Sequence, residues 1–232
     1  MSALDDLLDS IFDTKKPAFY PEFEAWVRGS RRFRAFAAAY DTKIRAKLKN
    51  ARDEGGLKDL RAELETTWLL LREERFTLEY EKYAASKQRG PDFTVTFRTH
   101  TPFNVEVRRL RSIEWDDDSE ARKSKLMAVL CDKVGQMPPG IVNLLWLIAE
   151  RAVSEADVSR AMTALRQRAE RKDEDFFKRR GFESAVHFLK QYGQLSAIVL
   201  HQSSANVVWL NSLARHKTPS DIVNAIQRLE GN

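Results

Sequence analysis

The chain is poor in cysteine, glycine and proline, and it has no long apolar run. Only one of its 232 residues, Cys131, is a cysteine, which excludes an intrachain disulfide and a four-sulfur metal site. The 9 glycines and 7 prolines exclude collagen-like and low-complexity chains. The longest apolar run, from Ile141 to Ala149, is interrupted by Asn143 and is far shorter than the roughly 20 residues of a membrane-spanning helix. The N-terminus is acidic where a signal peptide would be basic, so we expect a cytoplasmic globular protein with no membrane partner.

Positive charge is concentrated in one stretch near the N-terminus. The formal net charge is only +5, yet the window from Arg28 to Arg52 holds nine basic residues and a single acidic one, Asp41. Clustered cations favour a polyanion partner, because each phosphate that they neutralise releases counterions. The alternative interpretation is a solvated helix face without a ligand.

Hydrophobic periodicity predicts that the chain begins with helices. In the first 55 residues the strongest apolar repeat has a spacing of three or four, which puts its members on one helix face: Phe33, Phe36, Tyr40, Ile44 and Leu48. Gly55-Gly56 is expected to break this pattern. A second amphipathic helix then begins at Leu57 and is expected to end near Glu73 or Glu74.

Alternating apolar and polar residues predict three strands after that helix, beginning near Phe76, Phe93 and Phe103. The remaining elements are expected as helices near 119–134, 154–169, 182–192 and 220–229, and as strands near 141–148, 195–201 and 207–210. Asp117 with Glu120, and Ser154 with Asp157, have the spacing of helix-capping boxes. The fold class indicated is α/β, a central mixed β-sheet flanked by helices.

The charged residues of the second and third strands define the candidate site. A hairpin register in which paired residue numbers sum to 200 keeps the apolar side chains of both strands on one face. It places Asp92 opposite Arg108, and Thr94 opposite Glu106, on the other face. Two carboxylates this close repel each other unless a cation or a proton lies between them. Oxygen ligands suit Mg²⁺, which activates water and stabilises charge on a scissile phosphate, so the pattern points to phosphodiester hydrolysis.

The segment Gly90-Pro91-Asp92-Phe93, followed by Val105-Glu106-Val107-Arg108, resembles the motif of the PD-(D/E)xK, or restriction endonuclease-like, nuclease superfamily. The predicted order of helix, three strands, helix and strand is similar to the αβββαβ core of that family. The resemblance implies a hydrolase: a Mg²⁺- or Mn²⁺-dependent endonuclease acting on DNA or RNA. It implies Asp92 and Glu106 as metal ligands, and Arg108 in the place of the motif lysine. With it we divide the chain into an N-terminal helical extension, residues 1–55, and a nuclease-like domain, residues 56–232.

Several further residues are expected to assist such a site. Arginine stays protonated and presents a planar fork, so Arg108 is suited to contact phosphate but not to act as a base. A replacement ammonium would come from one of three lysines on the following helix: Lys123, Lys125 or Lys133. The additional acidic residue that the family often carries on its first helix would be Glu63 or Glu65.

Nucleic-acid affinity is expected to come from the basic N-terminal helix, which would bind the phosphate backbone without reading sequence. The residues predicted to do so are Arg31, Arg32, Arg34 and Arg45. Two alternatives stay open: a catalytically inactive nuclease-fold module that only binds nucleic acid, and a protein-interaction domain whose N-terminal helices pack on a partner. Nothing in the pattern indicates a homodimer.

Overall fold

The computed structural model describes residues 3–13, 16–83, 90–111, 119–149, 153–202 and 205–229, with only the backbone of 119–122. These residues form ten helices and six strands. The first half contains α1 (Ala3–Phe12), α2 (Tyr20–Gly29), α3 (Arg31–Ala39), α4 (Asp41–Asn50), α5 (Glu54–Arg72), β1 (Phe76–Tyr80), β2 (Phe93–Phe97) and β3 (Thr101–Leu110). The second half contains α6 (Ser119–Val134), β4 (Val142–Ala149), α7 (Glu155–Glu170), α8 (Glu174–Lys178), α9 (Ala185–Tyr192), β5 (Ala197–Gln202), β6 (Ala205–Leu210) and α10 (Ser220–Gln227).

The six strands form one mixed sheet in the order of the sequence, β1-β2-β3-β4-β5-β6. β1, β2 and β3 pair antiparallel, β3, β4 and β5 pair parallel, and β6 returns antiparallel to β5. A helix is needed to connect parallel neighbours. α6 makes the connection from β3 to β4, and α7, α8 and α9 lie between β4 and β5.

Each face of the sheet carries its own hydrophobic core. One core joins the even-numbered side chains of β1 and the odd-numbered side chains of β2 and β3, such as Phe93 and Val105, to α1–α5 and α10. The other joins the opposite face of β4 and β5, such as Leu145 and Ile198, to α6–α9. β4 is buried from both sides, as its nearly continuous apolar sequence predicts. The expected α/β class, a mixed sheet between helical layers, is confirmed.

The N-terminal helices end and begin at different residues from those predicted from the sequence. Residues 3–50 form four helices, and α3 is separated from α4 by Tyr40, whose φ of −122° and ψ of 20° are not helical. Gly55 and Gly56 do not interrupt a helix as predicted, but lie in the first turn of α5. Asp53 caps that turn by accepting a hydrogen bond from the Gly56 N–H at 2.7 Å. The predicted division at residue 55 stays a prediction, although α1–α4 share a core with the sheet.

The hairpin register is offset by two residues from the predicted one. β2 pairs with β3 so that numbers sum to 198, as in Phe93 with Val105 and Val95 with Phe103. The turn consists of three residues, 98–100, because Thr101 and Pro102 belong to β3. Pro102 is tolerated there because the pairing of β3 with β4 begins only at Phe103. The predicted opposition of Asp92 to Arg108 and of Thr94 to Glu106 is therefore wrong.

Two helix-capping boxes and the absence of a membrane-spanning helix were predicted from the sequence. Ser154 and Asp157 form the predicted capping box at the start of α7. The box predicted at Asp117 and Glu120 lies outside the residues whose side chains are described. Among the described helices, none combines the length and apolar character needed to span a bilayer.

Candidate active site

Three carboxylates from three different elements lie in the region where β2 begins. Glu63 comes from α5, Asp92 directly precedes β2, and Glu106 lies within β3. Continuing the β2–β3 register one residue beyond Phe93 places Asp92 beside Glu106. The negative charges of Glu63 and Glu106 both act on the Asp92 carboxyl. The two-residue correction of the register thus brings the two acidic motif residues closer than predicted.

Asp92 has an unfavourable electrostatic environment. It is half-buried, and its Oδ2 accepts a hydrogen bond from the Val107 N–H at 2.8 Å. Burial, followed by the negative charges of Glu63 and Glu106, raises the pKa of Asp92 well above its ordinary value. The nearby Lys47 ammonium and the Val107 N–H oppose this rise without cancelling it. Asp92 is therefore a position at which a proton or a cation is stabilised.

Glu106 forms an ion pair with a lysine from the next helix. Its side chain is almost fully buried, with 7% of the residue exposed, and its Oε1 contacts the Lys133 Nζ. Lys133 also donates to Gln136 Oε1 at 3.3 Å. Of the three lysines considered from the sequence, Lys133 is thus the one that the described side chains place on a motif carboxylate.

Glu63 is held by two donors that the sequence analysis did not assign to the site. Its Oε2 lies 2.6 Å from Lys47 Nζ and accepts a hydrogen bond from the Tyr80 hydroxyl at 2.7 Å. Burial and the neighbouring Glu63 charge raise the pKa of Tyr80. Burial favours the neutral form of Lys47 and lowers its pKa. The negative charges of Glu63 and Asp92 have a larger combined effect in the opposite direction, so the pKa of Lys47 is raised. Both donors therefore stay protonated at neutral pH.

The two arginines of β3 point to opposite sides of the sheet. Arg108 follows Glu106 by two residues, so both side chains lie on the face that α6 covers. Arg109 points to the α5 side, where its Nε lies 2.9 Å from Asp59 Oδ1 and its Nη2 donates to the Gly55 carbonyl at 3.0 Å. Arg108, which is half-buried, is therefore the guanidinium on the same face as Glu106.

A row of buried amides lies next to the acidic residues on the same face. Asn104 accepts a hydrogen bond from the Thr94 hydroxyl at 3.0 Å and donates one to Asn143 Oδ1 at 3.0 Å. Asn143 donates in turn to the Gln194 carbonyl at 2.9 Å. Satisfied buried networks of this kind restrict the geometry of a core. They fix the relative position of β2, β3 and β4 beside the candidate site.

The donor atoms fit a hard divalent cation. Mg²⁺ prefers oxygen ligands and typically takes one or two protein carboxylates, with water and substrate completing the octahedron. Asp92 and Glu106 can supply two, and the raised pKa of Asp92 shows that negative charge there is not fully compensated. Within the described residues, no three histidine, cysteine, aspartate or glutamate side chains are arranged as a ready-made metal site. Glu63, the third carboxylate, is instead paired with Lys47.

Cys131 does not provide a ligand or a nucleophile. Its side chain is fully buried, and burial raises the pKa of the thiol to about 12. A thiol that stays protonated at neutral pH is a poor metal ligand.

The arginines predicted to bind nucleic acid have different surroundings. Arg31 is exposed. Arg34 is exposed too, but its Nε donates to the Val27 carbonyl at 3.0 Å, and the half-buried Arg45 donates to the Ser10 carbonyl at 3.3 Å. Arg32 is half-buried and donates to the carbonyls of Leu71, Glu73 and Phe76. A role of these four residues in nucleic-acid binding stays a prediction.

Replacing Arg32 with alanine is expected to destabilise the fold. Its guanidinium satisfies carbonyls at the end of α5 and the start of β1, which would lose their charged donor. Hydrogen bonds from charged donors contribute about 1.5–3 kcal/mol, so we expect Arg32→Ala to lower the free energy of unfolding by about 2–3 kcal/mol in urea titrations. Arg31→Ala, next to it but exposed, is the matched control and should change stability by less than about 0.5 kcal/mol. Equal effects of the two substitutions would contradict this structural role.

Comparison with known proteins adds no relative. No protein-family model matches the chain, and neither the curated proteins nor the solved structures contain a significant match.

The sequence analysis missed Lys47 and Tyr80 as parts of the site. Lys47 was counted only as one of the cations of the basic window. Its spacing of three from the buried Ile44 indicates a position at the margin of the apolar face of α4, and that is the signal that separates it from the solvent-facing lysines. Tyr80 is the last residue of β1. Alternation predicts the face of the sheet on which its ring lies, but not the partner of its hydroxyl.

Proposed function

We propose that the protein is a divalent-metal-dependent nuclease-like hydrolase of phosphodiester bonds, with a restriction endonuclease-like αβββαβ core. The observation that carries this proposal is the position of Asp92 beside Glu106 in the strand register, with the charges of Glu106 and Glu63 both acting on the Asp92 carboxyl. The order α5-β1-β2-β3-α6-β4 supports it, because the three carboxylates come from the elements that the resemblance assigns to them.

Each side chain of the site has a role that its contacts support. Asp92 and Glu106 would hold Mg²⁺ or Mn²⁺, which when bound lowers the pKa of a coordinated water and offsets charge on the phosphate. Lys133 orients Glu106 and brings an ammonium beside it. Arg108, on the same face, is placed to bind a phosphate oxygen through its planar guanidinium.

The substrate proposed is DNA or RNA. The exposed cations of α3 and α4, Arg31, Arg34 and Lys49, would attract a polyanion through its backbone charge alone. Affinity should therefore fall steeply as the salt concentration rises. A backbone-only contact does not distinguish one sequence from another.

A second candidate is a catalytically inactive nuclease-fold module that binds nucleic acid or a protein partner. Two observations favour it. The ammonium groups of Lys47 and Lys133 already pair with Glu63 and Glu106, and Arg108 stands where the family carries lysine. In such a module, the two lysines already neutralise Glu63 and Glu106, so no metal ion is needed to compensate their charge.

A cleavage assay separates the two candidates. Supercoiled plasmid, single-stranded DNA and RNA are incubated with the protein and Mg²⁺ or Mn²⁺, and products are followed on gels. The nuclease proposal expects metal-dependent cleavage of at least one substrate that Asp92→Ala abolishes. Binding to nucleic acid that survives Asp92→Ala, with no cleavage under either metal, supports the inactive module instead.

Substitution of Arg108 tests the motif directly. Arg108→Lys restores the residue of the family motif and should raise the cleavage rate if the planar guanidinium limits turnover. Arg108→Gln, which removes the charge, should lower it. A lysine variant no faster than wild type would contradict the idea that the guanidinium of Arg108 limits turnover.

A further inference from the structure

Lys47 brings a positive charge into the acidic cluster from outside the strand-helix core. It lies on α4, and its Nζ bridges two carboxylates, at 2.6 Å from Glu63 Oε2 and 2.9 Å from Glu81 Oε1. The same ammonium lies over the ring of Tyr80, 4.8 Å from the centroid. Only 26% of the Lys47 side chain is exposed, so this charge is screened weakly by solvent.

These contacts restrain Glu63. Its Oε2 takes both the Lys47 ammonium and the Tyr80 hydroxyl, at 2.6 Å and 2.7 Å. An oxygen that accepts from two donors at such short distances has little capacity left to bind a cation, so these contacts engage one of the two carboxylate oxygens of Glu63 and hold the orientation of the other. The charge of Glu63 acts on Asp92 while its Oε2 is paired with Lys47 and Tyr80.

The charge of Lys47 also reaches Asp92 directly, since it is one of the groups that act on that carboxyl. A divalent cation on Asp92 would thus lie near a fixed monovalent one, and like charges in a half-buried site repel. Both effects of Lys47, the repulsion and the restraint on Glu63, oppose binding of a metal ion.

We propose that Lys47 is a positioning residue that competes with the divalent cation and thereby sets the metal concentration at which the site fills. This inference rests on the proposed function, because it assumes that Asp92 and Glu106 take the metal. It also accounts for the lack of a three-carboxylate arrangement among the described side chains: Lys47 holds the third carboxylate. More coordinating carboxylates generally mean tighter binding of a hard cation.

The test is a comparison of Mn²⁺ affinities by isothermal titration calorimetry on the full chain. Lys47→Met removes the charge, retains the apolar stem and frees Glu63, and we expect it to bind Mn²⁺ about tenfold more tightly than wild type, or about 1.4 kcal/mol. Lys47→Arg keeps the charge and should bind close to wild type. Adding Glu63→Gln to Lys47→Met should remove most of the gain. An affinity of Lys47→Met equal to or weaker than wild type overturns the inference.

Control variants distinguish a failure of the inference about Lys47 from a failure of the proposed metal site. Asp92→Asn should abolish Mn²⁺ binding in both the wild-type and the Lys47→Met background. If it does so while Lys47→Met leaves the affinity unchanged, the metal site stands and the role of Lys47 fails. If no protein in the series binds Mn²⁺, both fail. Circular dichroism melts verify folding, and Lys47→Gln replaces Lys47→Met if the methionine variant does not fold.

Discussion

Replacing Asp92 with asparagine should stabilise the protein at neutral pH and abolish metal-dependent cleavage. The amide oxygen can still accept the hydrogen bond from the Val107 N–H, whereas the like-charge repulsion from Glu63 and Glu106 disappears. At pH 8 we expect a gain on the order of 1–2 kcal/mol in the free energy of unfolding. Cleavage should fall by at least about a thousandfold, equivalent to about 4 kcal/mol of transition-state stabilisation.

The direction of the pKa shift of Asp92 determines how the stability of the wild-type protein changes with pH. Because the pKa of Asp92 is raised in the folded state, the folded protein retains a proton that the unfolded chain has already lost. The stability due to this carboxyl is therefore complete below its ordinary pKa of 3.8 and is lost as the pH rises through the raised value. The asparagine variant does not titrate at this position, so its advantage over wild type should grow as the pH rises from 3.8 to the raised pKa and stay constant above it.

Urea unfolding in EDTA at several pH values measures this difference without metal. Asp9→Asn changes an exposed aspartate of α1 and is the matched control for the loss of one carboxylate. Parallel pH profiles for Asp92→Asn and wild type would contradict the electrostatic account of the site.

The fold was largely predictable because its elements differ in period. Alternation identified β1, β2 and β3, and the short apolar run identified β4 as the strand buried from both sides. The break at Tyr40 was not predictable. The backbone hydrogen bonds from Tyr40 to Phe36 and from Ile44 to Tyr40 continue through it, so the apolar residues stay on one side and the repeat is not interrupted.

The register of the hairpin could not be predicted from the alternation of apolar and polar residues alone. A shift by two residues leaves every side chain on its own face, so the apolar pattern selects the face but not the partner. The number of residues in the turn decides between the two registers. Treating Thr101 and Pro102 as turn residues rather than the start of β3 was enough to separate Asp92 from Glu106 in the prediction.

The candidate site was predictable only in its sequence-local part. Asp92, Glu106 and Arg108 follow from two adjacent strands. The choice of Glu63 over Glu65 depends on how α5 packs, since two residues apart on a helix point in nearly opposite directions. Glu65 lies 3.1 Å from Arg61, away from the acidic cluster. The same docking problem explains why Lys133 could not be chosen from three lysines on α6.

The ion pair between Glu106 and Lys133 should have the largest effect on stability. Lys133→Met keeps an apolar stem of similar length but leaves Glu106, which is 7% exposed, without its cation and beside Asp92. Removing one partner of a buried pair typically costs about 3–5 kcal/mol, and we expect a loss of that size in urea unfolding. For a chain of this length it corresponds to a decrease in Tm of about 2–4 °C for each kcal/mol.

The reverse substitution should cost less. After Glu106→Leu, the Lys133 ammonium keeps its contact with Gln136 and its side chain, 18% exposed, can extend toward solvent. The like charge next to Asp92 is removed as well. We expect a loss below about 2 kcal/mol. A loss from Glu106→Leu as large as that from Lys133→Met would contradict this asymmetry.

The double variant shows whether the pair is kept for stability or for chemistry. Buried ion pairs replaced by apolar residues of similar volume often leave a protein as stable as before, because the desolvation of both charges is removed together. We therefore expect Lys133→Met with Glu106→Leu to recover at least about 2 kcal/mol relative to Lys133→Met alone. A double variant as stable as wild type and unable to cleave nucleic acid would show that the fold does not need the pair and that the reaction does. A double variant that loses as much as the two single variants together would mean that each side chain stabilises the fold independently of the other.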